Sequence, residues 1–185
     1  MPDRTDDTLM NDYVQGDENA MRILVERWEQ PVFAFLFRML GSSEEAEDLC
    51  QDTFMKLIEA ANRYRPEGKF QSWLFRIAGN QARSRLRRRK VLRWLPLTDE
   101  YDNAPAPGPD ALNTLAGQEE QRQVQVAIAR LPERQRQALV LKQYQDLSYR
   151  EIAGAMDTTV ESVQMLLHRA MTALRKDLTT RRDKT

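Results

Sequence analysis

The chain has 185 residues, room for one or two domains, and its 28 basic side chains are balanced by 28 acidic ones. No apolar stretch approaches the ~20 residues that a bilayer-spanning helix needs, and the polar, acidic start at Pro2–Thr8 is unlike a signal peptide, so membrane insertion is not expected. The single Cys50 excludes an internal disulfide framework and a thiolate-rich zinc site, and a soluble, cytoplasmic protein is predicted.

The balanced total conceals a sharp segregation. Residues 1–60 carry 5 basic against 14 acidic side chains, and residues 61–95 carry 11 against 1. The balance is −5 over residues 96–133 and +4 over residues 134–185. Charges sorted in this way point to separate surfaces with separate partners. The basic segment suits a polyanion, through phosphate neutralisation and counterion release; one solvated charged helix is the plainer alternative.

Leu, Ala, Glu, Gln and Arg dominate and Gly and Pro are few, which favours helix nearly throughout. A short helix is expected over Leu9–Gly16, then one or two helices over Asp17–Leu40 with a junction near Pro31. Gly41 suits a helix C-terminus, and Ser42 or Ser43 caps the next helix, with Glu44 and Glu45 in its first turn. That helix runs to about Asn62, with Ala46, Leu49/Cys50, Thr53/Phe54, Leu57/Ile58 and Ala61 as its buried stripe. Its opposite face carries Asp48, Gln51, Asp52, Met55 and Glu59, too acidic for DNA but suited to a basic protein partner; solvated charge is the usual alternative.

"RYRPEGKF" (63–70) is a loop punctuated by Pro66 and Gly68, and Gln71–Arg89 is the next helix. Leu74, Ile77, Ala78 and Gln81 should pack inward, while Arg76, Asn80, Arg83, Arg87 and Lys90 form a second stripe. Trp73 sits at the edge of that stripe, beside Asn80 and Ser84. An aromatic next to an amide and a basic track suits nucleic acid with partly unstacked bases; a core anchor is an equally good reading of Trp73. The Pro- and Gly-bearing acidic stretch that follows is read as a linker.

A second helical block begins near Gln118 and holds at least three helices, with a tail, "TTRRDKT" (179–185), expected to fray. Within it Ser148 and Glu151 form a capping box, and Ile152, Ala153 and Met156 face inward. Asp157-Thr158-Thr159 is a short turn with Thr159 as the next cap, and Val160, Val163 and Leu167 pack back. This is the pattern of a helix-turn-helix, with an αα-hairpin in a bundle as the alternative. The second helix would expose Glu161, Ser162, Met165, His168, Arg169 and Thr172, the candidate reading surface for a major groove.

Two quoted blocks in this order, "DLCQDTFMKLI…FQSWLFRIAGNQARSRLRRRK" and "LPERQRQALVLKQYQDLSYREIAGAM…SVQMLLHRAM", resemble the bacterial RNA polymerase sigma factors. The likeness is to the extracytoplasmic-function (ECF) group of the sigma-70 family, which keeps only regions 2 and 4. It implies an all-α fold of two small helical domains: a region 2-like domain over 1–94, a flexible linker over 95–117 and a helix-turn-helix region 4-like domain over 118–185.

The resemblance assigns Asp48, Leu49, Gln51, Asp52, Phe54 and Met55 to the β′ clamp of core RNA polymerase. It assigns Tyr64, Lys69, Phe70, Trp73, Arg76, Asn80, Arg83 and Arg87 to the −10 element and its melting, and Thr159, Glu161, Ser162, Met165, His168 and Arg169 to the −35 element. Region 4 would also touch the polymerase β flap. No catalytic residue, cofactor or metal is implied, the polymerase doing the chemistry. An anti-sigma factor is implied as a further partner, with a monomer when free of partners.

The sequence departs from the family's habit in places. Gln164 and Leu166 stand where cations are common in the reading helix, and Met165 where serine is. Gly79 replaces a larger or basic residue and Ser84 an aspartate. Fewer phosphate contacts should weaken −35 binding and flatten its salt dependence.

Overall fold

The computed structural model describes residues 4–93 and 115–182, and these are all helix and connecting turns. The expected linker, apart from the start of the first helix after it, lies outside the described residues, as do the last three residues of the tail. Two lobes of four helices each make up the described chain.

In the first lobe α1 (Asp6–Val14) is capped by Thr5, whose hydroxyl accepts from the Thr8 N–H, and has Asp6 and Asp7 in its first turn. The next helix, α2 (Glu18–Leu40), passes through Pro31 without a break, so the expected junction is absent. The single amide lost at Pro31 is outweighed by burial on both sides of it, with Leu24, Val32, Phe35 and Leu36 all fully enclosed. Gly41 ends α2 in the left-handed conformation (φ 71°), where a Cβ would be strained. Ser42 then caps α3 (Ser43–Ala60), as expected. Ile58 alone departs from the predicted stripe and is 37% exposed. A 3-10 turn (Ala61–Arg63) leads to the loop, and α4 (Phe70–Arg93) outruns its predicted end by a turn.

The second lobe holds α5 (Leu115–Arg130), α6 (Glu133–Tyr144), α7 (Tyr149–Met156) and α8 (Val160–Arg182). The capping box is present in both directions: the Ser148 hydroxyl accepts from the Glu151 N–H, and the Glu151 carboxylate accepts from the Ser148 N–H at 2.7 Å. Asp157 adopts the left-handed conformation (φ 51°) that turns the chain from α7 into α8. Helix α8 continues through the first four residues of the tail, Thr179–Arg182.

A chain of aromatic edges crosses the first core. The Phe35 and Phe75 ring centroids are 5.3 Å apart and those of Phe75 and Trp28 6.0 Å, both edge-on. The second core is built from Ile128, Ala138, Leu141, Leu147, Ile152 and Val163. The lobes also touch: α7 lies along α4, and α6 against the C-terminal half of α2. Cys50 is buried, its thiol directed at the Glu29 carbonyl (3.7 Å) and pushed up to about 11 by burial, as suits an inert core residue.

Phe75→Ala is expected to cost about 3–5 kcal/mol by leaving a cavity between Phe35 and Trp28. Urea denaturation of the purified chain should show it as a lowered midpoint.

Candidate nucleic-acid interface

The exposed face of α3 is acidic. Asp48, Gln51, Asp52 and Glu59 are exposed, and Met55 stands 58% exposed among them. Leu49 and Phe54, grouped with this face on the strength of the resemblance, are instead in the core at 4% and 7% exposure. Helical periodicity explains the burial: Leu49 lies about 100° from Asp48, and Phe54 about 100° from Met55, so both turn toward the core and seat the helix. Lys56 points the other way, its Nζ donating to Gln81 Oε1 on α4 (3.1 Å). Gln81 Nε2 in turn donates to Thr53 Oγ1 (2.8 Å), and Thr53 Oγ1 to the Leu49 carbonyl (2.6 Å). This chain of polar contacts fixes the spacing of α3 and α4, and neither helix's own pattern announces it.

Between the two helices opens a groove of about 450 Å³, lined by Lys56, Glu59, Arg63, Trp73, Asn80 and Ser84. Trp73 is half-buried, packing on the core and also lining the groove. Its ring lies 4.7 Å from Tyr64 at 32° and 6.3 Å from Phe70. Phe70 is only 2% exposed and supports the cluster from within the core. The Tyr64 hydroxyl is likewise committed, donating to the Asp7 carboxylate on α1; burial first, and that hydrogen bond second, push it well above the usual phenol range. Lys69 pairs with Glu67 within the exposed loop (2.6 Å).

The cations of α4 divide into two sets. Arg85 and Arg89 turn inward to Glu45 at the start of α3 (3.5 and 3.1 Å), and Arg89 Nη1 also donates to the Leu40 carbonyl (2.9 Å), capping α2. These two are structural, a division that unbroken "RLRRRK" does not reveal. Arg76, Asn80, Arg87 and Lys90 are exposed and Arg83 half-buried, donating to Asn80 Oδ1. Burial, then the neighbouring charges of Arg134 and Arg87, lower the pKa of Arg83. A guanidinium crowded by others is relieved when an anion arrives.

In the second lobe Thr159 caps α8 through the Ser162 N–H (3.2 Å). Glu161, Met165, His168 and Arg169 are exposed and Ser162 half-exposed, so the predicted reading surface faces outward as one patch. The Thr172 hydroxyl is turned back onto the His168 carbonyl (2.9 Å). Leu166 packs against the core, so of the unusual residues only Gln164 and Met165 stand on the outer face. Contacts to its own backbone N–H and to Thr159 lower the pKa of Glu161, which is therefore an anion at the tip of this helix. Among the described residues no cluster of His, Cys, Asp or Glu could hold a metal, and no helix is long and apolar enough to cross a membrane.

An acidic helix face, a groove edged by tryptophan and cations, and a helix-turn-helix with its second helix bare define a multi-surface DNA-binding protein of transcription. The comparisons make this specific. The sigma-70 region 2 family model matches residues 24–91 and the region 4 family model residues 121–174. The chain is 32% identical over 163 residues to the ECF RNA polymerase sigma factor SigE of Mycolicibacterium smegmatis, covering 86% of this chain and 63% of that protein, so it spans just under two thirds of that relative. It is 30% identical over 171 residues to the ECF RNA polymerase sigma factor SigW of Bacillus subtilis, covering 89% and 91%. The sigma factor RpoE in its co-crystal structure with the anti-sigma factor NepR from Bartonella quintana shares the fold, with a TM-score of 0.69, 23% identity and coverage of 85% and 96%.

The chain therefore belongs to the ECF group of sigma-70 family RNA polymerase sigma factors, which bind core polymerase and direct it to promoters.

Tyr64→Phe keeps the ring cluster but deletes the bridge to Asp7. A loss of about 1–2 kcal/mol is expected, measured by chemical denaturation with Trp fluorescence as the probe.

Proposed function

We propose that this sigma factor divides its work among three surfaces. The exposed α3 residues Asp48, Gln51, Asp52 and Met55 dock on the polymerase β′ clamp, where a ring of carboxylates around one flexible apolar side chain suits a basic, partly apolar partner. The groove beside Trp73 and Asn80 takes the −10 element together with Arg76, Arg83 and Arg87 of the same helix. There cations hold the backbone, and the indole edge offers a surface where an unstacked base would otherwise lose its neighbour. The outer face of α8, from Thr159 and Glu161 through Ser162 and Met165 to His168 and Arg169, takes the −35 element, with the Met165 side chain suited to a thymine methyl. Region 4 also meets the β flap.

The observation that supports this reading best is the placement of opposite charge on adjacent helices. The outer face of α3 is acidic and the outward stripe of the adjacent α4 is basic, so a protein and a nucleic acid can be held side by side without competing. Within this reading the region 2-like unit spans 1–94, the linker 95–117 and the region 4-like unit 118–185. The chain acts in the cytoplasm as a non-enzymatic initiation factor, and an anti-sigma factor holds it until a signal arrives. The co-crystallised relative, described as a complex with such a partner, supports that last point.

Reconstitution with core polymerase and a promoter library, followed by transcript mapping, tests the whole reading; polymerase binding without promoter-specific starts would overturn it. Trp73→Ala and Asn80→Ala should each lower open-complex formation at least tenfold while changing core binding less than twofold, and equal loss of both would sink the −10 assignment. Asp48→Ala with Asp52→Ala should weaken core binding severalfold in a competition assay, whereas unchanged affinity would leave α3 without a role.

The −35 face carries Arg169 and the anionic Glu161, so holoenzyme affinity for −35 duplex should fall only shallowly with salt. Glu161→Gln should raise that affinity severalfold at low salt, the gain shrinking as salt screens it.

A further inference from the structure

Between Thr159 and Thr172 the outer face of α8 carries one arginine, Arg169, against one carboxylate, Glu161, so with His168 neutral its charges cancel. Attraction to phosphate grows with the number of cations presented and carries no sequence information. Discrimination on this face must therefore come from hydrogen bonds and apolar contacts to base edges.

Several polar groups of this face are already engaged. Thr159 Oγ1 accepts from the Ser162 N–H and donates to Ser162 Oγ (3.4 Å), and the Thr172 hydroxyl donates to the His168 carbonyl (2.9 Å). Gln164 and Met165, by contrast, are both exposed, Met165 at 54%. They lie in the second turn of α8, and a reading helix reaches base edges with its N-terminal part. Leu166 and Leu167, which complete that turn, pack inward and leave the outer side to this pair. Arg169 lies more than a turn further along the helix and is left to a phosphate.

The chemistry of the pair is selective. A carboxamide brings one acceptor and two donors on one plane, and these match the N6 donor and N7 acceptor of adenine as a bidentate pair. Guanine presents two acceptors there, N7 and O6, and would leave Gln164 Oε1 facing an oxygen. Glu161 sharpens the distinction. It precedes Gln164 by three residues, so the two side chains are neighbours on the helix surface, and its negative charge repels an edge made only of acceptors. The Met165 thioether is a flexible apolar group, matched by the C5-methyl of thymine.

We propose that Gln164 and Met165 set the base preference of this factor's −35 element: the Gln164 carboxamide selects an adenine, and Met165 packs on the methyl group of a thymine in a neighbouring pair. The inference rests on the −35 assignment of α8 and deepens it. An A·T pair is fixed at the position Gln164 reaches, where an arginine would fix guanine. Replacing that adenine should lower affinity about tenfold, and removing the thymine methyl should lower it severalfold.

Promoter duplexes randomised through the −35 segment and selected with the reconstituted holoenzyme supply the probe. The wild-type chain should return one position fixed as A·T. Gln164→Arg should move that position to guanine, and Gln164→Ala should leave it undetermined while the other selected positions stay as they were. Both variants are at an exposed site and leave the core untouched. In the selected duplex, 7-deazaadenine at that position removes the N7 acceptor and should weaken wild-type binding but not binding by Gln164→Ala. Deoxyuridine for thymine removes the methyl and should weaken wild-type binding but not binding by Met165→Ala.

The same selected sequence for the wild type and Gln164→Arg overturns the inference, as does full wild-type affinity for the 7-deazaadenine duplex. If Arg169→Ala alone changes the selected sequence, the −35 assignment of α8 stands and the inference falls. If no −35 sequence is enriched, or if alanine at Gln164, Met165 and Arg169 together leaves binding unchanged, the assignment falls with it.

Discussion

The structure depends on the double duty of α4. One helix must bury Leu74, Phe75 and Ala78 in the first core while carrying a run of cations that repel one another. Glu45 makes this workable: its one carboxylate, held near the N-terminus of α3, takes both Arg85 and Arg89, and Arg89 also satisfies an orphan carbonyl of α2. With those two charges turned inward, Arg76, Arg83, Arg87 and Lys90 are presented on the other side. The distinction between inward and outward arginine is thus made by the position of a single partner.

The groove between α3 and α4 follows from the same packing. Its width is set by the contacts from Lys56 through Gln81 to Thr53, and its aromatic wall by Tyr64, Phe70 and Trp73, of which only Trp73 lines the groove itself. Asp7 reaches this wall from α1, so the acidic N-terminal segment contributes to the site by fastening the loop before α4 and not by touching a ligand. Rigidity in the wall suits the base capture proposed for it, because a ring that must first be ordered gives back part of its stacking energy.

Much of this was legible in the chain itself. Gly41, Ser42, the Ser148–Glu151 box and Thr159 mark helix ends by local chemistry, and each functions as its residue type dictates. The outward patch of α8 follows from periodicity alone. Legibility stopped wherever two helices share a residue. Leu49 and Phe54 sit within a motif whose neighbours are exposed, yet they are buried. Leu166 resembles a missing cation in sequence and is a packing residue in space. Pro31 suggests a break that burial on both flanks overrides.

The sequence by itself determined the all-α class, the segregation of charge, the helix-turn-helix and the kinship with ECF sigma factors, because those are properties of short windows and of their order. Only the tertiary structure decided which cations of α4 face outward, which aromatics line the groove, and that the second lobe lies across the first with Gln137 against Gly79. Those outcomes turn on partners 20 to 80 residues away or more, such as Glu45 for Arg89, Asp157 for Arg76 and Gln81 for Lys56. A window of sequence specifies the direction of a side chain around its own helix; what waits there is set by the packing of another.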